Sequence, residues 1–270
     1  MSVQSGRSPI DSDHLRELVR DRWSVEVVDE TDSTNRRLLE SDRPDRSVLV
    51  AEYQTGGRGR LDRTWTSPPR AGLLFSVLLR PRVDRANWSW LPLLTGLAVR
   101  RALLGRAPAD VALKWPNDVL LGRHEHKVAG ILAEAALEHV VVGVGLNVDT
   151  TRAELPVETA TSLVEAGGAA QDRTGLLAAI LTELDDVLVR WASCDGDVVS
   201  TGLALDYAQA CSTIGRDVVV TLADRRIVGR AIGVDPAGRL RVATDEGEAS
   251  VGAGDVHQIR PTRQLGHEAP

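Results

Sequence analysis

Cysteine is nearly absent: the chain has 2 in 270 residues, Cys194 and Cys211, with no Cys-x-x-Cys pair. No histidine stands at zinc spacing to either. A disulfide framework and a closed structural zinc site are both disfavoured, and a reducing cytoplasm is the expected home. Also missing is any run of about 20 apolar residues, the length a bilayer-spanning helix needs. The N-terminal segment MSVQSGRSPIDSDHL is polar and lacks the apolar stretch of a signal peptide. No excess of positive charge exists either: 32 Lys and Arg face 38 Asp and Glu, a net charge of -6. That balance lacks the overall footprint of a nucleic-acid coat, although a local basic patch stays open. Internal repeats and low-complexity tracts are absent. What is present is an ordinary globular composition, 43% hydrophobic and 26% charged, which argues against disorder. The length fits one large domain, or one large and one small, with a core that needs no crosslinks.

Periodicity predicts an α+β chain. Asp11 or Ser12 caps a helix whose Leu15, Leu18, Val19 and Trp23 share one face. Strands are expected at 25–28, 47–53, 72–79, 111–115, 118–121, 127–136 and 139–148. The turn at 31–35 leads into a short helix through Leu38 and Leu39. A buried helix is expected over 87–104, with Pro92 tolerable in its first turn. The segment 176–191 keeps 3.6-residue periodicity through Leu177, Ile180, Leu181, Leu184, Leu188 and Trp191, and a further helix is expected at 198–211. Beyond 212 the texture changes to short β-runs at 217–221, 227–232 and 240–243, punctuated by Gly233, Gly238 and Gly247. Those runs predict a small antiparallel barrel. The expected divisions are a tail and first helix over 1–23, a large unit over 24–212 and a small one over 213–270. Helices do not alternate strictly with strands, so a mixed sheet flanked by helices fits better than a doubly wound one.

Four clusters stand out as chemistry. The first is Gly56-Gly57-Arg58-Gly59-Arg60, followed by Arg63 and Trp65. Glycines let backbone amides approach an anion, and arginines add forked donors; a basic surface loop is the plainer alternative. It matches neither the P-loop nor the dinucleotide fingerprint. The second, Lys114-Trp115-Pro116-Asn117-Asp118, reads as a tight β-connection. The third is Lys127 at the head of an apolar strand, either a solvated strand end or a cation placed for developing charge. Nearby His124-Glu125-His126 has no third ligand, and an exposed turn is the simpler reading. The fourth is 140–148. Its even positions Val140, Val142, Val144, Leu146 and Val148 are apolar, and its other face carries Gly143, Gly145 and Asn147. Strands alternate faces, so this bare strip is a floor for a flat ligand or for close packing by another element.

In this order the clusters resemble the biotin protein ligases. The resemblance rests on TDSTN at 31–35, EYQTGGRGR at 52–60 with RTW at 63–65, KWPND at 114–118, KVAGIL at 127–132 and VGVGLNV at 142–148. GRDVVV at 215–220 and the D-x-x-G-x-L turn at 235–240 are similar to that family's C-terminal domain. It implies a catalytic domain like that of class II aminoacyl-tRNA synthetases, with a mixed central sheet, and an SH3-like C-terminal β-barrel. It further implies that Ser33, Thr34, Asn35, Gln54, Gly57, Arg58, Gly59, Arg60, Lys127, Gly130, Gly143 and Gly145 bind biotin. Arg60, Arg63, Trp65, Asn117, Lys127 and Asn147 would meet ATP, with Lys127 and Arg60 as catalytic cations. No fixed protein metal site is implied; Mg²⁺ would travel with ATP. In the implied reaction the biotin carboxylate attacks the α-phosphorus of ATP. A lysine of the biotin carboxyl carrier domain of an acyl-CoA carboxylase then collects the biotinyl group.

Two departures bear on these expectations. Leu61 and Asp62 stand where the family often has a basic residue and a glycine, and a carboxylate there would stiffen the loop or repel phosphate. Only about 23 residues precede the first core strand, fewer than the roughly 50 of a folded domain, so DNA binding is not expected. A monomer or weak homodimer is. The rivals are a lipoate ligase, a non-catalytic biotin sensor and a generic nucleotide-binding module; the hydroxyl-rich turn at 33–35 and GGRGR favour biotin over lipoate.

Overall fold

A computed structural model describes residues 6–258, apart from 170, 223 and 253. Seven strands form the central sheet: β1 (Ser24–Thr31), β2 (Ser47–Gln54), β3 (Gly72–Leu79), β4 (Val111–Lys114), β5 (Asp118–Leu121), β6 (His126–Ala135) and β7 (Val140–Asn147). Their spatial order is β1-β2-β3-β7-β6-β5-β4. Only β1 and β2 run parallel, because the helix α2 (Thr34–Leu39) carries the chain back between them. The remaining neighbours are antiparallel.

Alternation along the strands gives the sheet two unlike faces. Phe75 of β3, Val144 of β7 and Ile131 of β6 share a cross-strand row. That row belongs to a core completed by α1 (Ser12–Val19), α3 (Leu91–Leu103) and α4 (Arg173–Ala192). α3 is buried almost all round. Asp172 caps α4 by accepting from the amides of Thr174 and Gly175, and the stripe predicted from its periodicity is the buried one. Each fully buried leucine there contributes about 1.5–3 kcal/mol. On the other face Leu38 of α2 meets Leu49, Leu78 and Val141.

Some predicted boundaries shift for local reasons. α1 ends at Val19, so Trp23 reaches the core from the following turn, its indole donating to Leu181 O at 3.0 Å. Leu18, expected on the buried face, is 49% exposed. The helix expected over 87–104 begins as a short 3-10 helix, Arg85–Trp90, before α3. The one expected over 198–211 narrows to α5 (Leu203–Ala210), because Gly202 takes a left-handed φ of 72° just before it.

The small C-terminal unit holds β8 (Asp217–Thr221), β9 (Arg226–Val234), β10 (Leu240–Thr244), β11 (Gly247–Val251) and β12 (Asp255–Gln258). The last two strands, too short and too irregular in pattern to announce themselves, were not predicted. The sheet order is β11-β10-β9-β8-β12, antiparallel throughout. The closed barrel expected from sequence is not formed among the described residues: β12 pairs with β8 and β11 with β10, leaving two edges. The β9–β10 turn seats this sheet on the larger one. Asp235 Oδ1 accepts from the amides of Ala237 and Arg239, each at 2.9 Å. The carbonyls of Pro236, Ala237 and Gly238 then accept from Trp90 Nε1 (2.8 Å), Ser89 Oγ (2.8 Å) and Trp115 Nε1 (3.0 Å). Among the described residues no helix is long and apolar enough to cross a membrane.

Candidate functional site

The half-covered face of the central sheet carries a cavity of about 860 Å³. Its floor is the glycine strip. Gly143 lies opposite Ser76 and Leu132, and Gly145 opposite Leu74 and Gly130. A Cβ at Gly143 would stand 2.1 Å from Asn35 Oδ1, and one at Gly145 2.4 Å from the Trp65 ring. Bare backbone is therefore what lets an amide and an indole lie against the strands. Trp65 Nε1 is buried there with no hydrogen-bond partner.

One end of the cavity is polar and neutral. Ser33 caps α2 by accepting from the Arg36 amide, and the Ser33 amide in turn holds the Asp32 carboxyl below its usual range. Thr34 and Asn35 are buried in the first turn of α2. Gln54 Oε1 accepts from Thr34 N (2.7 Å) and lies 3.1 Å from Thr34 Oγ1, whose hydroxyl stands 2.7 Å from Ser76 Oγ and donates to it. Ser76 donates to Asn35 Oδ1 at 2.6 Å. Asn35 Nδ2 donates to Leu132 O (3.1 Å) and Glu134 Oε2 (2.8 Å). Glu134 receives Arg58 Nη2 on both oxygens, at 2.6 and 2.8 Å.

The other end is cationic. The pairing of β5 with β6 slips between Val119 and Leu120, where the partner changes from Ala129 to Lys127. This bulge sends Val128 into the core and brings Lys127 to the cavity side with Gly130. Asp118 accepts from Lys127 Nζ at 2.6 Å, and the ammonium stands 5.6 Å from the Trp65 ring centre. Asn117 is fixed by Nδ2 donating to Ile131 O at 3.0 Å, and its Oδ1 faces Arg60 Nη1 at 3.5 Å. The β4–β5 hairpin that presents these side chains contains a cis Trp115–Pro116 peptide. Trp115 N–H donates to Thr213 Oγ1 at 3.1 Å. Asn147 lies at the end of β7 on the cavity wall, its amide nitrogen donating to Thr161 O at 3.0 Å.

The glycine-arginine segment folds over this face as a small hairpin. Arg58 and Thr64 form a bridge, Gly59 N donates to Arg63 O (2.6 Å) and Trp65 N to Gly57 O (2.9 Å). A Cβ at Gly57 would lie 2.4 Å from Trp65 O. Arg58, Arg60, Arg63 and Trp65 line the cavity, while the amide of Gly56 is engaged by Asp32 O and those of Gly59 and Trp65 inside the hairpin. Leu61 and Asp62 form its tip with φ of 54° and 57°.

Of the residues named from sequence, Ser33, Thr34, Asn35, Gln54, Arg58, Gly59, Arg60, Arg63, Trp65, Asn117, Lys127, Gly130, Gly143, Gly145 and Asn147 all line this cavity. Gly57 lines instead a second cavity of about 1020 Å³, which shares Arg58, Asn117 and Leu132 with the first. His124 and His126 also line the first, their ring centres 5.8 Å apart. No group of three or more potential metal ligands occurs among the described residues. Ser76 and Glu134 escaped the sequence reading. Ser76 is the lone hydroxyl in a strand buried at every position, a signal that was available. Glu134 shares a strand phase with Gly130 and Leu132, and alternation alone pointed to it.

Residues 24–147 match the Biotin/lipoate A/B protein ligase family, and residues 213–257 the Biotin protein ligase C terminal domain. The biotin--[acetyl-CoA-carboxylase] ligase of Mycobacterium tuberculosis is 39% identical over 267 residues, covering 94% of this chain and 97% of the relative. The bifunctional ligase/repressor BirA of Escherichia coli is 31% identical over 236 residues, covering 83% and 71%. The structure of the biotin protein ligase of Aquifex aeolicus in complex with biotin and ATP superposes with a TM-score of 0.75 at 33% identity, covering 88% of this chain and 99% of that one.

Proposed function

The chain belongs to the biotin protein ligase family, and from that premise we propose that it joins biotin to a carrier lysine in two steps on this sheet face. The observation that carries the proposal is the polarity of the single cavity. A neutral hydrogen-bonding end at Ser33, Thr34, Asn35 and Gln54 runs over bare glycines into a cationic end at Lys127, Arg60 and Arg63. A ureido ring needs paired donors and acceptors in a shallow trough. Its carboxylate tail would then pass the Asn35 amide and the Trp65 ring, which lie against Gly143 and Gly145, toward the cations. Lipoate has no ureido group to use the Ser33–Asn35 turn, which favours biotin.

In the first step a carboxylate oxygen of biotin attacks the α-phosphorus of ATP, and pyrophosphate leaves. Lys127, Arg60, Arg63 and Asn117 stabilise the charge on the phosphoryl oxygens, and Trp65 covers the product. Asp118 and Glu134 are each engaged by a cation. A magnesium ion would therefore be held by the nucleotide phosphates rather than by a carboxylate cluster, and it would supply further neutralisation. In the second step the neutral amine of the acceptor lysine attacks the anhydride carbonyl. An amide bond forms, AMP leaves, and the amine's surplus proton passes to solvent. The loop hairpin keeps water from the acyl-adenylate between the steps. The acceptor is a biotin carboxyl carrier domain of an acyl-CoA carboxylase, and the reaction belongs to the cytoplasm. The small five-stranded sheet is of SH3 type in this reading, supported by its short antiparallel strands.

The test is incubation with biotin, ATP, Mg²⁺ and a carrier domain, followed by mass spectrometry of the carrier. One added biotinyl group per carrier, with AMP released, is expected. An unmodified carrier with biotin still bound would instead mark a sensor. Titration with lipoate alongside biotin separates the two acids.

A further inference from the structure

The polar contacts along the cavity form one continuous chain rather than separate pairs. It runs from Gln54 through Thr34, Ser76 and Asn35 to Glu134, and ends on Arg58 of the loop hairpin. Its links span 2.6 to 2.8 Å, short enough that displacing one member displaces the next. Glu134 is the only member that touches both the α2 end and the hairpin. Its Oε2 accepts from Asn35 and from Arg58, each at 2.8 Å, while Oε1 takes Arg58 alone at 2.6 Å. The carboxylate side chain is 22% exposed and the guanidinium 39%, so the pair is partly shielded, with one guanidinium nitrogen, Nη2, bridging both carboxylate oxygens.

We propose that Glu134 is a positioning residue that couples occupancy of the Thr34–Asn35 end to closure of the Arg58–Trp65 hairpin. It does so through the Asn35–Glu134–Arg58 contact. The proposal rests on the biotin ligase reading for the identity of the ligand, but the coupling is a property of these side chains. A ligand that fixes the Asn35 amide fixes the Glu134 carboxylate, and that holds Arg58 and the hairpin backbone against the sheet. Release of Glu134 frees the hairpin without removing any group from the ureido pocket.

The hairpin supplies its own reporter, because Arg58, Arg60 and Arg63 are tryptic sites. The variants are E134Q, R58M and the double variant, each first checked for an unchanged thermal midpoint and circular dichroism spectrum. In E134Q, biotin should bind within about threefold of the parent. Its protection of the hairpin against trypsin should fall about tenfold, and the adenylate should dissociate about tenfold faster, the scale of one charge-assisted hydrogen bond. Introducing E134Q into R58M should change neither readout further. Normal biotin protection in E134Q, or an equal effect of E134Q with and without Arg58, would overturn the coupling. If E134Q unfolds, E134D, which keeps the charge on a shorter arm, takes its place and should show partial protection; full loss in E134D equal to that of an alanine would also overturn it. Absence of any adenylate in the parent would sink the ligase reading instead, and leaves the ligand-free cleavage rates to judge the contact.

Discussion

Alanine at Gly143 and alanine at Gly145 should fail in different ways, although the two positions share a strand and a face. At Gly143 the added methyl would stand 2.1 Å from Asn35 Oδ1, 2.9 Å from Asn35 Cγ and 3.1 Å from Ser76 Oγ. Ordinary contact begins near 3.4 Å, so Asn35 must withdraw by more than an ångström. Its bonds to Ser76, Glu134 and Leu132 O, now 2.6, 2.8 and 3.1 Å, then stretch past useful length. Asn35 is 4% exposed, so water cannot replace those partners. The loss amounts to about 2–4 kcal/mol of stability, or a fall in midpoint on the order of 5–15 °C. Biotin affinity should drop about a hundredfold or more, since the same amide serves the ligand. At Gly145 the methyl meets the Trp65 ring at 2.4 Å, but that ring belongs to a surface hairpin and its Nε1 has no partner to lose. Gly145→Ala should therefore cost less than about 1 kcal/mol in stability, while narrowing the floor and slowing adenylate formation. Thermal denaturation with calorimetric titration of biotin measures both. A Gly143→Ala protein as stable as the parent, with normal biotin binding, would refute the reasoning.

Lys127→Ala should lower adenylate formation about a hundredfold to a thousandfold while leaving biotin affinity within a few-fold; near-normal pyrophosphate release would remove Lys127 from the chemistry. Asp118→Asn keeps a hydrogen-bond acceptor beside Lys127 Nζ but removes the counter-charge, so kcat for adenylation should change more than biotin Kd. Equal changes in both would argue that Asp118 only supports the hairpin. Asp62→Gly removes a non-glycine residue at φ 57° and a carboxylate from the loop tip. The adenylate should leave about two- to fivefold more slowly, and identical off-rates would dismiss the idea. Arg7 donates to Glu154 and draws its pKa down to about 2. A depressed carboxylate stabilises the fold above its unfolded value and loses that contribution as pH falls from about 5 toward 2. After allowance for solvent screening the effect is about 1 kcal/mol, and Glu154→Gln should flatten that part of an acid denaturation series.

The core face of the central sheet was legible because burial imposes a strict period. Val140, Val142, Val144, Leu146 and Val148 were assigned to the inside from alternation alone, and each is buried. The bare glycine strip followed from the same alternation, and of its two readings close packing is the one seen, by Asn35 on Gly143 and Trp65 on Gly145. Ser76 and Glu134 carried a local signal in burial and strand phase, but what makes them part of the site is a partner distant in sequence. Glu134 becomes part of the site through Arg58, 76 positions away, and Ser76 through Asn35, 41 positions away. Lys127 was singled out from sequence as either a solvated strand end or a cation placed for charge, but the β5–β6 register slip at Val119 and Leu120 that turns it to the cavity is a shift no local pattern encodes. The small sheet shows the opposite failure. Three of its five short runs were recognised, but closure depends on edge pairing, which composition does not report.

The charges of the site explain how an acidic chain handles an anionic substrate. Lys127 is held by Asp118 and Arg58 by Glu134, so two of the site's cations enter the folded state with a carboxylate partner. Left unpaired on a half-covered sheet, they would repel one another and draw the hairpin off the floor. Pairing keeps the hairpin seated before any phosphate arrives. In the proposed reaction it would also set the sign of the exchange that follows: a phosphoryl oxygen would compete with Asp118 for Lys127, winning most readily when negative charge is growing on it. The two carboxylates stand apart: Asp118 lines the first cavity beside Lys127, and Glu134 lines the adjoining one and holds the Asn35 amide. One can therefore be released while the other stays engaged. That separation is what two successive steps on one surface require. Adenylation calls for a freed ammonium at Lys127, and retention of the adenylate calls for a hairpin still anchored through Arg58.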